Sequence, residues 1–561
     1  MKMKKKLSAV VAPVLVMSLA LTACSGEKEE TTAKPEKKQE GSKYASKQVL
    51  NLLEGSEIPS MDSTLATDAV SFNVMNNVME GLYRLDKDNK PTPGVAESVD
   101  VSEDGKTYTF HLRDAKWSNG DAVTANDFVF SWRRAVDPAT AAEYAYIMFD
   151  VKNAQKINNK EVPVEQLGVK AIDDKTLEVQ LETAVPYFME LTSFATYYPL
   201  NEKFVKEQGE KYGLEASTTL YNGPFVLSDW KHEQSFQLQK NANYWDNGVV
   251  KLEEINFNIV KDVATGVNLY ETQEVDRTGL SAEFVDKYKS DSNFKTSKDS
   301  AVYFLRLNEK KGGKDTPLAN VNLRKAVSMA FDKEALVSVI LNNGSSAANY
   351  LVPRDFVKGP DGKDYRDSNG EMNAYNVDKA KKAWEDAKKE LGTDKVTLEL
   401  LNYDSESAKK IGEYLKAQIE KNLEGVTVNI KQQPFAQKLD LESKGDYDFS
   451  FAGWGPDYPD PMTFIDMFVT GGAHNQMGYS NPKFDELVEK AKGELTTDKA
   501  ARWNALLQAE KILFDDAAIA PLYQKGGAYL ERPYVKDVFD HQFGGDFSYK
   551  WAYISSEKES K

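Results

Sequence analysis

The chain has 561 residues, 41% hydrophobic, 11% aromatic and 28% charged, a balance that suits a globular protein large enough to bury several cores. Its formal net charge of −16 repels phosphate backbones, which argues against a nucleic-acid partner. One cysteine excludes an internal disulfide, and four histidines without ligand spacing (His111, His232, His474 and His541) give no histidine-rich metal site and no sign of a cofactor.

Lys2, Lys4, Lys5 and Lys6 precede an almost wholly apolar or small-residue run over 7–21, the order of a secretory signal. The run is shorter than the ~20 residues a bilayer span needs. It ends in Leu21-Thr22-Ala23-Cys24, followed by Ser25-Gly26. This resembles a bacterial lipobox, where the chain is cut before the cysteine and its sulfur receives diacylglycerol. Residues 1–23 therefore read as a lipoprotein signal peptide and Cys24 as the lipidation site. Loss of the four lysines would take the net charge from −16 to −20. Two or more acyl chains, at about 0.8 kcal/mol per buried CH₂, anchor stably where one does not. Residues 24–48 are rich in Lys, Glu, Thr and Ser and read as a disordered tether with a reach of roughly 25–30 Å. The expected location is outside the cytoplasm of a bacterial cell, at the membrane surface.

A strand is expected over 49–53 and a helix over 72–81. Tyr108, Phe110 and Leu112 alternate after the Asp104-Gly105 turn, as in a half-buried strand. Thr124 with Asp127 three residues on approaches a capping box for a helix over 124–136. Asp173-Asp174 and 179–181 give a further turn and strand. Residues 376–391 and 483–492 are amphipathic helices. The clearest unit runs from a strand over 396–401, through a helix capped by Ser405 and stopped near Gly425, to a strand over 426–430. That β-α-β order predicts a parallel pair with a right-handed crossover. The mixture is that of an α/β protein.

Several stretches together resemble the oligopeptide- and dipeptide-binding receptors of ABC importers, the peptide-binding family 5 of solute-binding proteins. They are Pro93-Gly94-Val95-Ala96-Glu97-Ser98, the run from Asp104 to Arg113, Lys116-Trp117-Ser118-Asn119-Gly120 and Val123-Thr124-Ala125-Asn126-Asp127-Phe128. Asn222-Gly223-Pro224-Phe225, Asn243-Tyr244-Trp245, Leu323-Arg324-Lys325-Ala326 and Ala452-Gly453-Trp454 extend the match to most of the chain. The resemblance implies a two-lobe, periplasmic-binding-protein-like α/β fold of the type II, large peptide-binding class, with a two-strand hinge. By similarity, lobe I is residues 49–79, 198–301 and 525–556, an inserted subdomain is 80–197, and lobe II is 302–524. It also implies a monomer that binds an oligopeptide, meets the permease subunits of an ABC transporter and carries out no catalysis.

A receptor for varied peptides should hold the terminal ammonium and the backbone and be lenient about side chains. The stretch 451–461 is crowded with Gly, Pro and aromatic residues and reads as an irregular loop after a strand over 447–451. Its Asp457 stands where the family binds the peptide ammonium. Asp460 reads as structural. Gly453, Trp454 and Gly455 would pair with one edge of the peptide backbone, glycine permitting close approach. Thr67, Asp68 and Ala69 would pair with the other edge, and Tyr144 would touch the backbone. Phe435, Phe451 and Trp454 are expected in side-chain pockets. Positions where enterobacterial relatives place basic partners for the peptide carboxylate look like Phe451 and Ala408 here; Arg354, Lys358 or Lys363 are the alternatives. Two other readings stay open: a selective receptor for one signalling peptide, and a same-fold receptor for a non-peptide ligand. No nucleophile elbow, phosphate loop or zinc-protease helix is present.

Overall fold

The computed structural model describes residues 43–560. Cys24, the signal segment 1–23 and the tether up to residue 42 lie outside the described residues. Residues 43–48, expected in the tether, are docked instead: the Ala45 N–H donates to the Ile554 carbonyl at 2.9 Å, and Gln48 donates to the same carbonyl at 2.8 Å. Tyr44 meets Tyr553 edge-on at 5.1 Å. This ring contact and the two hydrogen bonds hold the segment.

Three sheets organise the chain. The first contains β1 (Val49–Glu54), and α1 (Ala69–Val78) follows it in sequence. The helix begins three residues earlier than the apolar pattern predicts, because Asp68 caps it by accepting from the Ser71 N–H. The second sheet is built from β2 (Ala96–Val101), β3 (Thr107–Leu112), β4 (Val169–Asp173) and β5 (Thr176–Gln180), in the order β2-β3-β5-β4 and antiparallel throughout. Tyr108, Phe110 and Leu112 are all buried, as their alternation predicts. Next to this sheet lies α2 (Ala125–Val136), with the Thr124–Asp127 capping box formed. Its Phe128 and Trp132 are fully buried, each side chain of that size contributing about 1.5–3 kcal/mol.

The chain then returns to the first sheet through β6 (Phe225–Lys231), β7 (Ser235–Lys240) and β8 (Glu254–Ile259), giving the order β1-β8-β7-β6 with β1 and β8 parallel. The third sheet is the largest. It comprises β9 (Arg277–Leu280), β10 (Phe294–Leu307), β11 (Val396–Tyr403), β12 (Val426–Gln433), β13 (Phe449–Trp454) and β14 (Ile519–Glu531), in the order β9-β14-β10-β13-β11-β12. The two-residue strand Ser346–Ala347 adds to β14. Four helices accompany the later strands: α3 (Val377–Leu391), α4 (Glu406–Asn422), α5 (Phe435–Ser443) and α6 (Pro482–Lys492), with α7 (Lys499–Asp515) preceding β14. The β11-α4-β12 unit is parallel, as its order in sequence requires, and Ser405 caps α4. Gly425 takes φ +95° in the turn after α4 rather than forming a left-handed stop at the helix end.

The two long strands β10 and β14 join separate cores. Their ends near Phe294 and Leu530 pack with Val267, Tyr270 and Leu280, while Leu305, Leu307, Ala520 and Leu522 enter a core shared with β11, α3 and α4. Between these ends the register breaks: Lys298 pairs with Gly526 and pairing resumes at Val302 with Gln524. A bulge there breaks the ladder where the two cores separate and locally raises the twist.

Candidate functional site

Strand β13 builds one wall of a cavity of about 340 Å³. It pairs with β10 along its length, from Leu307 opposite Phe449 to Val302 opposite Trp454. On its other side β11 pairs only with Phe449 and Ser450. From Phe451 onward that second edge meets no strand among the described residues, so its main-chain groups face the cavity. Gly453 and Trp454 are therefore strand residues, which corrects the expected loop. Composition pointed to a loop because Gly and Trp carry no local strand pattern; the partner that makes them strand is β10, about 150 residues away. Gly453 lies opposite Tyr303, and a Cβ there would meet the Tyr303 ring at 2.7 Å. Glycine lets that ring lie flat across β13.

The true loop starts at Gly455 and carries Asp457, which is only 5% exposed. Its N–H donates to Thr463 Oγ1 at 3.0 Å, which fixes the carboxylate toward the cavity. The short helix Glu143–Met148 supplies Tyr144 and Tyr146, whose hydroxyls each donate to that carboxylate at 3.4 Å. Thr463 adds a third contact at 3.5 Å. All three are longer than an ordinary O–H···O hydrogen bond of about 2.5–3.0 Å, and no base pairs with Asp457 among the described residues. Burial, and then the charge of Asp466, push its pKa well above 3.8, while the three hydroxyls work the other way. The ionised carboxylate is therefore disfavoured here unless a cation accompanies it.

Aromatic rings close around it. Tyr144 stacks parallel to Trp454 at 6.2 Å, and His474 meets both edge-on, at 4.9 Å and 4.8 Å. Burial, and then Arg306, hold His474 neutral by lowering its pKa to about 3. The Trp454 indole Nε1 is buried without a partner. Arg306 donates to the His474 carbonyl at 2.9 Å and to Gln476 Oε1 at 2.8 Å. Farther along the wall Phe435, at the start of α5, meets Tyr403 at 5.8 Å.

Thr67, Asp68 and Ala69 line the opposite wall. The Asp68 carboxylate is engaged by the Ser71 N–H at 2.8 Å and the Ser71 hydroxyl at 2.7 Å, so its side chain serves the start of α1. Burial raises its pKa to about 6. What this segment can offer a ligand is main chain. Near the β10–β14 bulge the wall carries Lys525, paired with Asp299 at 2.7 Å, and Asp546. The Asp299 charge holds the Lys525 pKa well above its usual value, and burial raises Asp546 to about 6.

Of the sequence-predicted residues, Asp457, Gly453, Trp454, Gly455, Thr67, Asp68, Ala69, Tyr144 and Phe435 meet at this cavity. Phe451 does not line it. It sits behind the wall between Tyr303 at 5.4 Å and Tyr403 at 5.6 Å, because successive β13 side chains point to opposite faces. Ala408 is buried inside α4. Arg354 pairs with Asp367 and Glu371, and Lys363 with Asp361, outside the cavity; Lys358 is likewise not on its wall. The basic side chains on the wall are Arg306 and Lys525, both already engaged. Tyr146, which completes the Asp457 cage, and these two bases carry no local sequence signal. They stand about 170 to 310 residues from their partners.

A cavity of this shape, with a strand edge beside a buried acid that has no base, is that of a binding protein. Residues 90–476 match the family model for bacterial extracellular solute-binding proteins, family 5. The chain is 34% identical over 540 residues to the dipeptide-binding protein DppE of Bacillus subtilis, covering 96% of this chain and 97% of that protein. Among solved structures, the substrate-binding domain of an oligopeptide ABC transporter from Bacillus anthracis matches with 56% identity and TM-score 0.90, covering 91% of this chain and all of that one. Listeria monocytogenes OppA bound to peptide matches with 46% identity and TM-score 0.88, covering 91% and 99%. The chain belongs to family 5 of the bacterial extracellular solute-binding proteins and has their two-lobe α/β fold.

Proposed function

We propose that this protein is an extracytoplasmic, lipid-anchored receptor that captures oligopeptides between its lobes and delivers them to the permease subunits of an ABC importer. The observation that carries this reading is Asp457: a carboxylate buried among hydroxyls at their hydrogen-bonding limit, with no base of its own, beside an unpaired strand edge. A peptide supplies both missing parts, an ammonium for the acid and a backbone for the edge of Gly453, Trp454 and Gly455. Thr67, Asp68 and Ala69 would bond its other edge, and Tyr144 would orient the ammonium end. Phe435 and Trp454 would contact side chains through apolar surface, which tolerates variety. The related proteins that bear peptide-binding names support this reading.

Closure would follow from the β10–β14 bulge, with lobe I at 49–79, 198–301 and 525–556, the inserted subdomain at 80–197 and lobe II at 302–524. The register break between Lys298 and Val302 supports the boundary at 301/302. Calorimetry with a peptide mixture and with the same peptides N-acetylated tests the whole reading. Free peptides should bind and acetylated ones should not; equal binding of both overturns the role of Asp457. Competition by unrelated peptides separates broad capture from recognition of a single peptide. Anchorage through Cys24 is tested by Cys24→Ala, which should move the protein from the membrane fraction to the medium. Light scattering should return a monomer.

A further inference from the structure

A second cavity, of about 640 Å³, adjoins the peptide site. The two share Glu143 and His474, and Tyr146, whose hydroxyl donates to Asp457, also lines the second one. Its walls come from residues 142–159 and 182–183 on one side and 466–493 on the other. Six carboxylates face it (Glu143, Asp150, Glu182, Asp466, Asp485 and Glu489) against a single lysine, Lys492.

That imbalance alone would be an ordinary solvated acidic surface. Two buried atoms say otherwise. Asp466 is 5% exposed; its Oδ2 pairs with Lys492 at 3.0 Å, but its Oδ1 is buried without a partner among the described residues. His474 is 6% exposed, and its Nε2 is equally unpartnered. Leaving a buried polar group unsatisfied costs about 1–3 kcal/mol, more for a charge. An N–H donor in the cavity would relieve Asp466 Oδ1, and one at the boundary of the two cavities would relieve His474 Nε2 where the neutral imidazole carries its proton on Nδ1. Asp150 lines the same wall; burial raises its pKa to about 6, with Lys492, Arg502 and a hydrogen bond with Tyr187 opposing the shift. No group of three or more metal-ligating side chains is assembled among the described residues, so the site does not suit a bare ion. Phe149 and Tyr146 offer ring faces and Met467 and Val488 apolar surface, which fit a carbon chain between charged ends.

We infer that this cavity is a second binding site, for an organic cation bearing amine or guanidinium groups. The cation is either a free oligoamine or the basic first side chain of a peptide held at Asp457. Only the side-chain source rests on the peptide-receptor reading; the free-amine source stands without it.

The test is calorimetry on the full mature protein at physiological salt, with spermidine as probe and a neutral triol as control. Wild type is compared with Asp150→Asn and with Glu489→Gln, an exposed position whose change spares the fold. A separate arm compares a peptide beginning with Lys to its Leu-first counterpart. Saturable one-to-one spermidine binding, weakened at least tenfold by either variant, supports a free-amine site. A preference for the Lys-first peptide that both variants erase, with the Leu-first affinity retained, supports the side-chain source. Non-saturating spermidine binding equal in all three proteins, together with no Lys preference, overturns the inference as simple screening of an acidic surface. Retained Leu-first binding in that outcome leaves the peptide-receptor reading standing, whereas loss of all peptide binding in wild type would count against that reading instead.

Discussion

Asp457 and Asp460 lie three residues apart in one loop and are almost equally buried, yet the protein treats them in opposite ways. Asp460 receives both guanidinium nitrogens of Arg502, at 2.7 Å and 2.8 Å, and accepts the Met462 N–H at 2.9 Å. Its charge is balanced from within the chain. Asp457 has only neutral hydroxyls at 3.4–3.5 Å and a pKa pushed up by burial. The difference teaches how to read a buried acid. Asp460, which the fold supplies with a base, serves stability, whereas Asp457, which has neither a base nor a short hydrogen bond, is the acid left available to a ligand.

The contrast breaks most visibly on the structural side. Asp460→Asn strands the Arg502 charge in the interior and should cost about 3–5 kcal/mol in urea unfolding. A loss below about 1 kcal/mol would remove Asp460 from its structural role. On the ligand side, Asp457→Asn should lower peptide affinity by about 2–5 kcal/mol, roughly 30-fold to several thousand-fold in calorimetry. Its ligand-free stability should hold or rise, because the native state is relieved of an uncompensated charge. Equal destabilisation by both substitutions would erase the distinction.

Acidity sharpens the same point. The folded pKa of Asp457 lies above its unfolded value of 3.8, so the native state holds the extra proton between the two. Asp457 therefore adds stability to the ligand-free protein as pH falls through the raised value, and removes it as pH rises. Peptide binding needs the ionised form and should weaken over the same fall in pH. In Asp457→Asn that pH dependence should disappear from binding titrations; its persistence would assign it to another group.

Two glycines give the smallest and cleanest contrast. Gly453→Ala drives a methyl into the Tyr303 ring and should cost about 1–3 kcal/mol of stability. Gly455→Ala meets only Ala301, at 3.9 Å, so stability should stay within about 0.5 kcal/mol while peptide affinity falls. A Gly455→Ala protein with unchanged peptide affinity would move the ligand backbone away from this segment.

Local chemistry made several elements legible. The Thr124–Asp127 capping box, the Ser405 cap and the alternation over Tyr108, Phe110 and Leu112 are all formed as written, because each depends on residues within four positions of one another. Of the candidate site, the resemblance to a family pointed to Asp457, Tyr144 and Phe435, which line one cavity. Phe451 was misplaced because the side of a strand it occupies depends on register with β10. The docking of 43–48 was missed because its partners, Tyr553 and Ile554, are about 500 residues distant.

By itself the sequence determined the class of fold and the parallel β11-α4-β12 unit, and its resemblance to a family singled out Asp457 as the candidate acid. Only the tertiary structure decided which acids are paired. It alone brings Arg502 to Asp460 and Tyr144 and Tyr146 to Asp457, and it leaves the outer edge of β13 open. The physical reason is that hydrogen bonds and charge pairs act over a few ångströms in space, and those few ångströms join residues that the chain keeps far apart.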